Sequence, residues 1–159
     1  MKQILLLIPL LLLIACNGTL QSTSTVAVPV TTAIGAPSTT TPGNSVGKAV
    51  VVGDGAYTNL SPAELQTMLA KKDFTFVNVH IPFEGNIATT DKSIAYNEIS
   101  QKLDQLSTDK NAKIVLYCRS GRMSTEAAQT LVGLGYKHVF NLEGGMIAWG
   151  KAGFAVDDK

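Results

Sequence analysis

Apolar positions along this chain come in short blocks, and the spacing within each block predicts an element. Ser61-Pro62-Ala63-Glu64 is a capping box with proline at the first helical position, and it opens a helix that carries Leu65, Met68 and Leu69 inward. Phe74 to Val79, β-branched and aromatic, predicts a strand, and a polar loop follows from His80 to Ser93. After Ile94 to Tyr96 the spacing of Ile99, Leu103 and Leu106 predicts a helix with one apolar face. Ile114 to Tyr117 is a continuous apolar run, the pattern of a central strand covered on both faces. Ala127, Ala128, Leu131 and Leu134 recur at helical spacing, and Gly135 stands where that helix would end with positive φ. Val139 to Leu142 predict a last short strand, and Gly144-Gly145 leads into a short helix with Ile147 and Trp149. Strands alternating with helices predict an α/β fold, a mostly parallel central sheet with helices on both faces.

The first 47 residues obey none of these periods. Met1-Lys2-Gln3 is a short basic head before an apolar run from Ile4 to Ala15, broken only by Pro9. As a helix that run spans about 18 Å, short of the roughly 30 Å hydrocarbon core, so an export signal fits better than a membrane-spanning anchor. Its end, Leu13-Ile14-Ala15-Cys16, resembles the lipobox of bacterial lipoproteins. That resemblance implies cleavage after Ala15 and lipid on Cys16, placing the protein in the cell envelope on the extracytoplasmic side of a bacterial membrane. From Asn17 to Gly47 there is no charged residue, Ser and Thr are frequent, and Pro29, Pro37 and Pro42 recur without an apolar period. Such a stretch cannot bury a core and reads as a solvated tether with a reach of about 30 Å. The expected organisation is a signal at 1–15, a tether at 16–47 and one folded domain at 48–159, long enough for one core and too short for two.

The candidate chemistry lies in Leu116-Tyr117-Cys118-Arg119-Ser120-Gly121-Arg122-Met123-Ser124. A buried strand ends there, delivers one cysteine and turns at once into a helix, and in an open α/β sheet ligands bind at such strand ends. Unpaired amides of the turn, the helix dipole and the charges of Arg119 and Arg122 are expected to stabilise a thiolate. A cysteine flanked by two arginines and a glycine turn is a poor core residue.

From about Leu60 to Phe154 the chain resembles a single rhodanese domain, through Ile114-Val-Leu-Tyr-Cys-Arg-Ser-Gly-Arg-Met-Ser and then Leu142-Glu-Gly-Gly-Met-Ile-Ala-Trp. The resemblance implies a sulfurtransferase that takes a sulfane sulfur onto the active cysteine as a persulfide and passes it to a thiol or cyanide, with no cofactor. It makes Cys118 the nucleophile and Arg119, Ser120, Gly121, Arg122, Met123 and Ser124 the cradle for the outer sulfur. Gly144, Gly145 and Trp149 match the family's scaffold. Three places depart from the family pattern. Met123 stands where the family commonly has arginine, Asn78-Val79-His80 replaces Asp-Val-Arg, and Gly85-Asn86-Ile87 replaces Gly-His-Ile. The chemistry of the loop from His80 to Asp91 is therefore not carried over, and His80 and Glu84 are candidate pocket-lining residues.

Two other classes compete with this reading. A cysteine phosphatase or arsenate reductase needs arginine six residues after the cysteine, where Ser124 stands. A non-catalytic rhodanese-like module would display sulfur or bind a partner. One histidine and scattered carboxylates do not make a metal site, which needs three or four clustered ligands. His138 reads as a surface residue at a strand start. The net charge of +1 predicts no nucleic acid partner, leaving a small sulfur-containing anion as donor, a thiol or cyanide as acceptor, and the membrane through the lipid.

Overall fold

The structure, a computed structural model, describes residues 46–157. Cys16, the signal and nearly all of the tether lie outside these residues. The described part opens with a hairpin that the apolar pattern did not announce, β1 (Lys48–Val52) and β2 (Gly55–Leu60), paired antiparallel. Then come α1 (Pro62–Leu69), β3 (Thr75–Asn78), two-residue strands β4 (Asn86–Ile87) and β5 (Lys92–Ser93), β6 (Lys113–Tyr117), α2 (Arg122–Gly133), β7 (His138–Leu142), α3 (Gly145–Lys151) and β8 (Val156–Asp157).

Six strands form one sheet in the order β1-β2-β7-β6-β3-β5, parallel except at the β1 edge, while β4 and β8 pair as a separate antiparallel ribbon. β6 is central, and all its residues but Lys113 are buried. Alternation along it divides the core. Ile114, Leu116 and Cys118 face a layer with Ala127, Ala128 and Leu131 of α2, while Val115 and Tyr117 face a layer with Leu65 of α1 and Met146 and Trp149 of α3. Helices thus cover both faces, as the pattern predicted.

Local chemistry explains the agreements and the misses. In α1 the Ser61 hydroxyl accepts from the Glu64 amide while the Glu64 carboxylate accepts from the Ser61 amide, so both unpaired donors of the first turn find partners. The helix predicted after Tyr96 is instead two 3-10 helices, Tyr96–Gln101 and Leu103–Gln105, interrupted at Lys102 with φ −121°. Ile99 is still buried, and Leu103 and Leu106 still pack on the α2 layer, so the apolar spacing marked the right face and the wrong helix. Ile94 donates its amide to the carbonyl of Asn78, the last residue of β3, and Tyr96 donates to Val79 just beyond it. α2 stops at Gly133, which turns Leu134 out to solvent and gives its expected burial to Tyr136. Gly135 has φ 89°, as its position implied. Ile147 is exposed, whereas Trp149 is buried and donates from Nε1 to the Ala155 carbonyl. His138 is exposed at the start of β7.

Candidate active site

Cys118 stands one residue past β6, and its carbonyl and that of Arg119 accept hydrogen bonds from the first free amides of α3. Met146 N donates to Cys118 O at 2.9 Å and Ile147 N to Arg119 O at 3.0 Å. The backbone of α3 approaches so closely that only glycine fits at its start. A Cβ on Gly145, whose φ is 57°, would lie 2.2 Å from the Cys118 carbonyl. With those carbonyls drawn toward α3, the turn closes over the sulfur with a donor. Gly121, at φ 96°, presents its amide to Cys118 Sγ at 3.1 Å and serves as the N-cap of α2.

Ser124 supplies a second donor. Its hydroxyl is buried 3.4 Å from Sγ and 3.1 Å from the Gly121 carbonyl, and its single proton can serve one of them at a time. Cys118 itself is 1% exposed. A sulfur bearing negative charge here meets an amide, a hydroxyl and the amino end of a twelve-residue helix. Among the described residues these two donors are the hydrogen-bond partners of Sγ.

The arginines do not behave as the pattern suggested. Arg122 is exposed and turned along α2, where its guanidinium pairs with Glu126 one turn on and lies 5.8 Å from the Tyr96 ring centre. The hydrogen bond it donates to Glu126 leads the effects that raise its pKa above the ordinary guanidinium value. Arg119 Nε meets Glu84 Oε2 at 3.1 Å. Each expected anion-binding charge is therefore matched by a glutamate, because helical spacing places Glu126 four residues past Arg122 and the β3 loop brings Glu84 to Arg119. The Met123 side chain turns away from the sulfur. It is half-buried and packs on the α2-side core with Tyr96 and Leu103. Ser120 is exposed and lines a neighbouring cavity with Gly121 and Arg122.

The loop after β3 is organised by residues that the sequence pattern left without a role. Asn78 is buried and satisfied in three directions: its Nδ2 donates to Gly85 O at 2.8 Å and Asn86 Oδ1 at 3.0 Å, and its Oδ1 accepts from His80 N at 2.9 Å. Tyr117, next to the nucleophile candidate, reaches the same loop from the opposite face of β6. Its hydroxyl accepts from Ile87 N at 3.0 Å, donates to Asn86 Oδ1 at 3.1 Å and lies 2.7 Å from Thr90 Oγ1. Burial pushes its phenol above the ordinary value. Of the two proposed pocket-lining residues, Glu84 lies at the surface beside Arg119. The His80 side chain is only 8% exposed and sits under Glu84 rather than against solvent. Asn78, Tyr117 and the α3 amides were missed because a hydrogen-bond partner distant in sequence leaves no periodic mark; Gly144-Gly145 was the one visible sign of the close backbone approach.

A strand-end cysteine held between two parallel-sheet loops, with an amide and a hydroxyl on its sulfur, defines a cysteine-loop α/β domain. The rhodanese-like domain family matches residues 61–152, and the chain belongs to that family. A sulfurtransferase of Allochromatium vinosum is 45% identical over 47 residues, 30% of this chain and 44% of that protein. A tRNA uridine(34) hydroxylase of Erwinia tasmaniensis is 29% identical over 103 residues, 61% of this chain and 29% of the hydroxylase. The chain thus spans less than a third of the length of that enzyme. A crystal structure of a rhodanese-related protein from Thermoplasma volcanium is 29% identical, with a TM-score of 0.53 over 62% of this chain and 95% of the other.

Proposed function

We propose that the domain is a sulfurtransferase that carries sulfur on Cys118. What supports this most is the pair of donors, Gly121 N and Ser124 Oγ, on a buried thiol within the family-matched residues. The Cys118 thiolate attacks the outer sulfur of a donor such as thiosulfate; the donor's sulfur–sulfur bond breaks, and sulfite leaves with its electron pair. An acceptor thiolate or cyanide then attacks the terminal sulfur of the persulfide, and Cys118 departs as thiolate. Donors fixed in place before reaction stabilise this charge without reorganising, at about 3 kcal/mol for one such group in a dry site. The partners are thus a small sulfur-bearing anion and a thiophilic acceptor, and no cofactor enters the cycle. Ser124 supports sulfur transfer over phosphate ester hydrolysis, because it places a hydroxyl where phosphatase loops need a guanidinium.

Thiosulfate should add the mass of one sulfur atom to the Cys118 peptide, and cyanide should remove it. Cys118→Ala should abolish both the adduct and turnover while lowering the melting temperature by about 4 °C or less. Sulfur transfer that persists in Cys118→Ala refutes this function, and a native protein that never gains the mass is a binding module.

The same proposal places the domain outside the cytoplasm, anchored by lipid on Cys16 and held off the membrane by residues 16–47. The support is the lipobox-like Leu13-Ile14-Ala15-Cys16. Cys16→Ser should move the protein from the membrane to the soluble fraction and stop the mobility change that follows processing; unchanged fractionation refutes the anchor.

A further inference from the structure

We propose that His80 and Glu84 set the charge that the Cys118 mouth presents to an anionic reactant, by holding or releasing Arg119. β3 and β6 run parallel with Asn78 opposite Tyr117, and Val79 N donates to Tyr117 O at 2.8 Å. One residue further along that register, His80 comes beside the cysteine turn. Its side chain is 8% exposed, and among the described residues neither ring nitrogen has a hydrogen-bond partner. A buried imidazole without a partner is costly unless its unmet bond is used in another state. The group within reach is Glu84: its Oε2 lies 3.4 Å from His80 Nε2 and 3.1 Å from Arg119 Nε. One carboxylate oxygen stands between two cationic candidates.

Of the other charged groups near the loop, Asp157 stands opposite Asn86 in the β4–β8 ribbon, and Asp91 is held by Lys72. The 3-10 helix that follows the loop contributes Tyr96, which lies under Arg122, and Glu98, which pairs with Lys102. Arg122 is held by Glu126. With His80 neutral, Glu84 neutralises Arg119 and the mouth carries no net charge from this trio. With His80 protonated, the imidazolium takes the Glu84 carboxylate, and the 58%-exposed Arg119 guanidinium is released beside Cys118. The mouth gains one positive charge when the imidazole takes up a proton.

This inference uses the proposed sulfur chemistry only in naming the anion, so its test is independent of sulfur transfer. In the full chain, alkylation of the Cys118 peptide is followed by mass spectrometry with iodoacetate, which is anionic, and iodoacetamide, which is neutral. The same thiolate attacks both and displaces iodide from each, so the ratio of their rates cancels the ionisation of Cys118 and reads the local charge. The ratio should rise roughly two- to fivefold from pH 8 to 5, the range expected of a solvent-exposed charge. It should be low and flat in His80→Gln, and lower than in the native protein at every pH in Arg119→Gln, which leaves the Glu84 carboxylate without its guanidinium. Glu84→Gln should make it high already at pH 8, since Arg119 then has no carboxylate beside it. Glu84 is exposed, so that variant decides the matter even if His80→Gln fails to fold. A pH-dependent ratio that survives His80→Gln, a low ratio in Glu84→Gln, or failure of both reagents to reach Cys118 overturns the proposal.

Discussion

Two loops leave the carboxyl ends of neighbouring parallel strands, and they are held by opposite means. The turn after β6 is short, and backbone holds it: α3 amides grip the Cys118 and Arg119 carbonyls, and Gly121 donates its own amide to the sulfur. The loop after β3 is longer, and side chains hold it: the Asn78 amide, the Tyr117 phenol and the Asp91 carboxylate, whose Oδ2 accepts from Phe76 N at 2.7 Å and from Lys72 Nζ at 2.6 Å. Backbone grips depend on glycine and on helix position, so they resist pH and most surface substitutions. Side-chain grips depend on individual functional groups and can be loosened one at a time. The first kind suits a sulfur whose surroundings must not reorganise, and the second suits a wall that adjusts to what approaches.

The largest break in this contrast should come from Gly145→Ala. A methyl group 2.2 Å from the Cys118 carbonyl forces α3 away from the turn, at about 3 kcal/mol of stability by denaturant unfolding, with sulfur loading of Cys118 falling alongside. Unchanged stability would mean that α3 does not grip the turn. Asn78→Ala should cost about 2 kcal/mol, because it leaves the Gly85 carbonyl and the His80 amide without partners. Its effect on sulfur loading should be smaller than that of Gly145→Ala, and the reverse order would put the reactive geometry in the β3 loop.

The smallest effect should sharpen the comparison through pH. Burial of Asp91 works against its charge, but hydrogen bonds from Lys72 and Phe76 and the nearby lysine charges outweigh it and hold the carboxyl below the usual range. A depressed carboxyl contributes stability above its unfolded value of about 3.9, and that contribution is lost as pH falls through the folded value. Amide exchange at Phe76 should therefore quicken as pH drops below about 4, after correction for intrinsic exchange, and Asp91→Asn should remove most of that dependence. The Gly121 amide should show no matching change attributable to Asp91.

The same contrast explains how much could be read before the fold was seen. The β6 run, the Ser61 capping box, the α2 period and the Gly144-Gly145 pair were legible because each is a local pattern in which neighbours set the geometry. Cys118, Gly121 and Ser124 came out together because they are close in sequence as well as in space. The helical turn directs the Met123 side chain toward the core, which the motif alone does not show. Arg119 and Arg122 were read as free charges, since nothing local to Arg119 announces Glu84 across the sheet edge. Glu126, four residues past Arg122, stands at a spacing that does announce a pairing. The β1–β2 hairpin was not anticipated, and β4 with β8 joins segments some seventy residues apart.

Tyr117 and Cys118 are consecutive, and a strand sends consecutive side chains to opposite faces. Within about 3.3 Å of chain, one residue offers the reactive sulfur to one layer while its neighbour bolts down the wall loop from the other. Inserting or deleting a single residue in β6 would exchange the two, setting a phenol against Gly121 and a thiol against the Ile87 amide. Any redesign that moves the nucleophile must therefore rebuild both loops together.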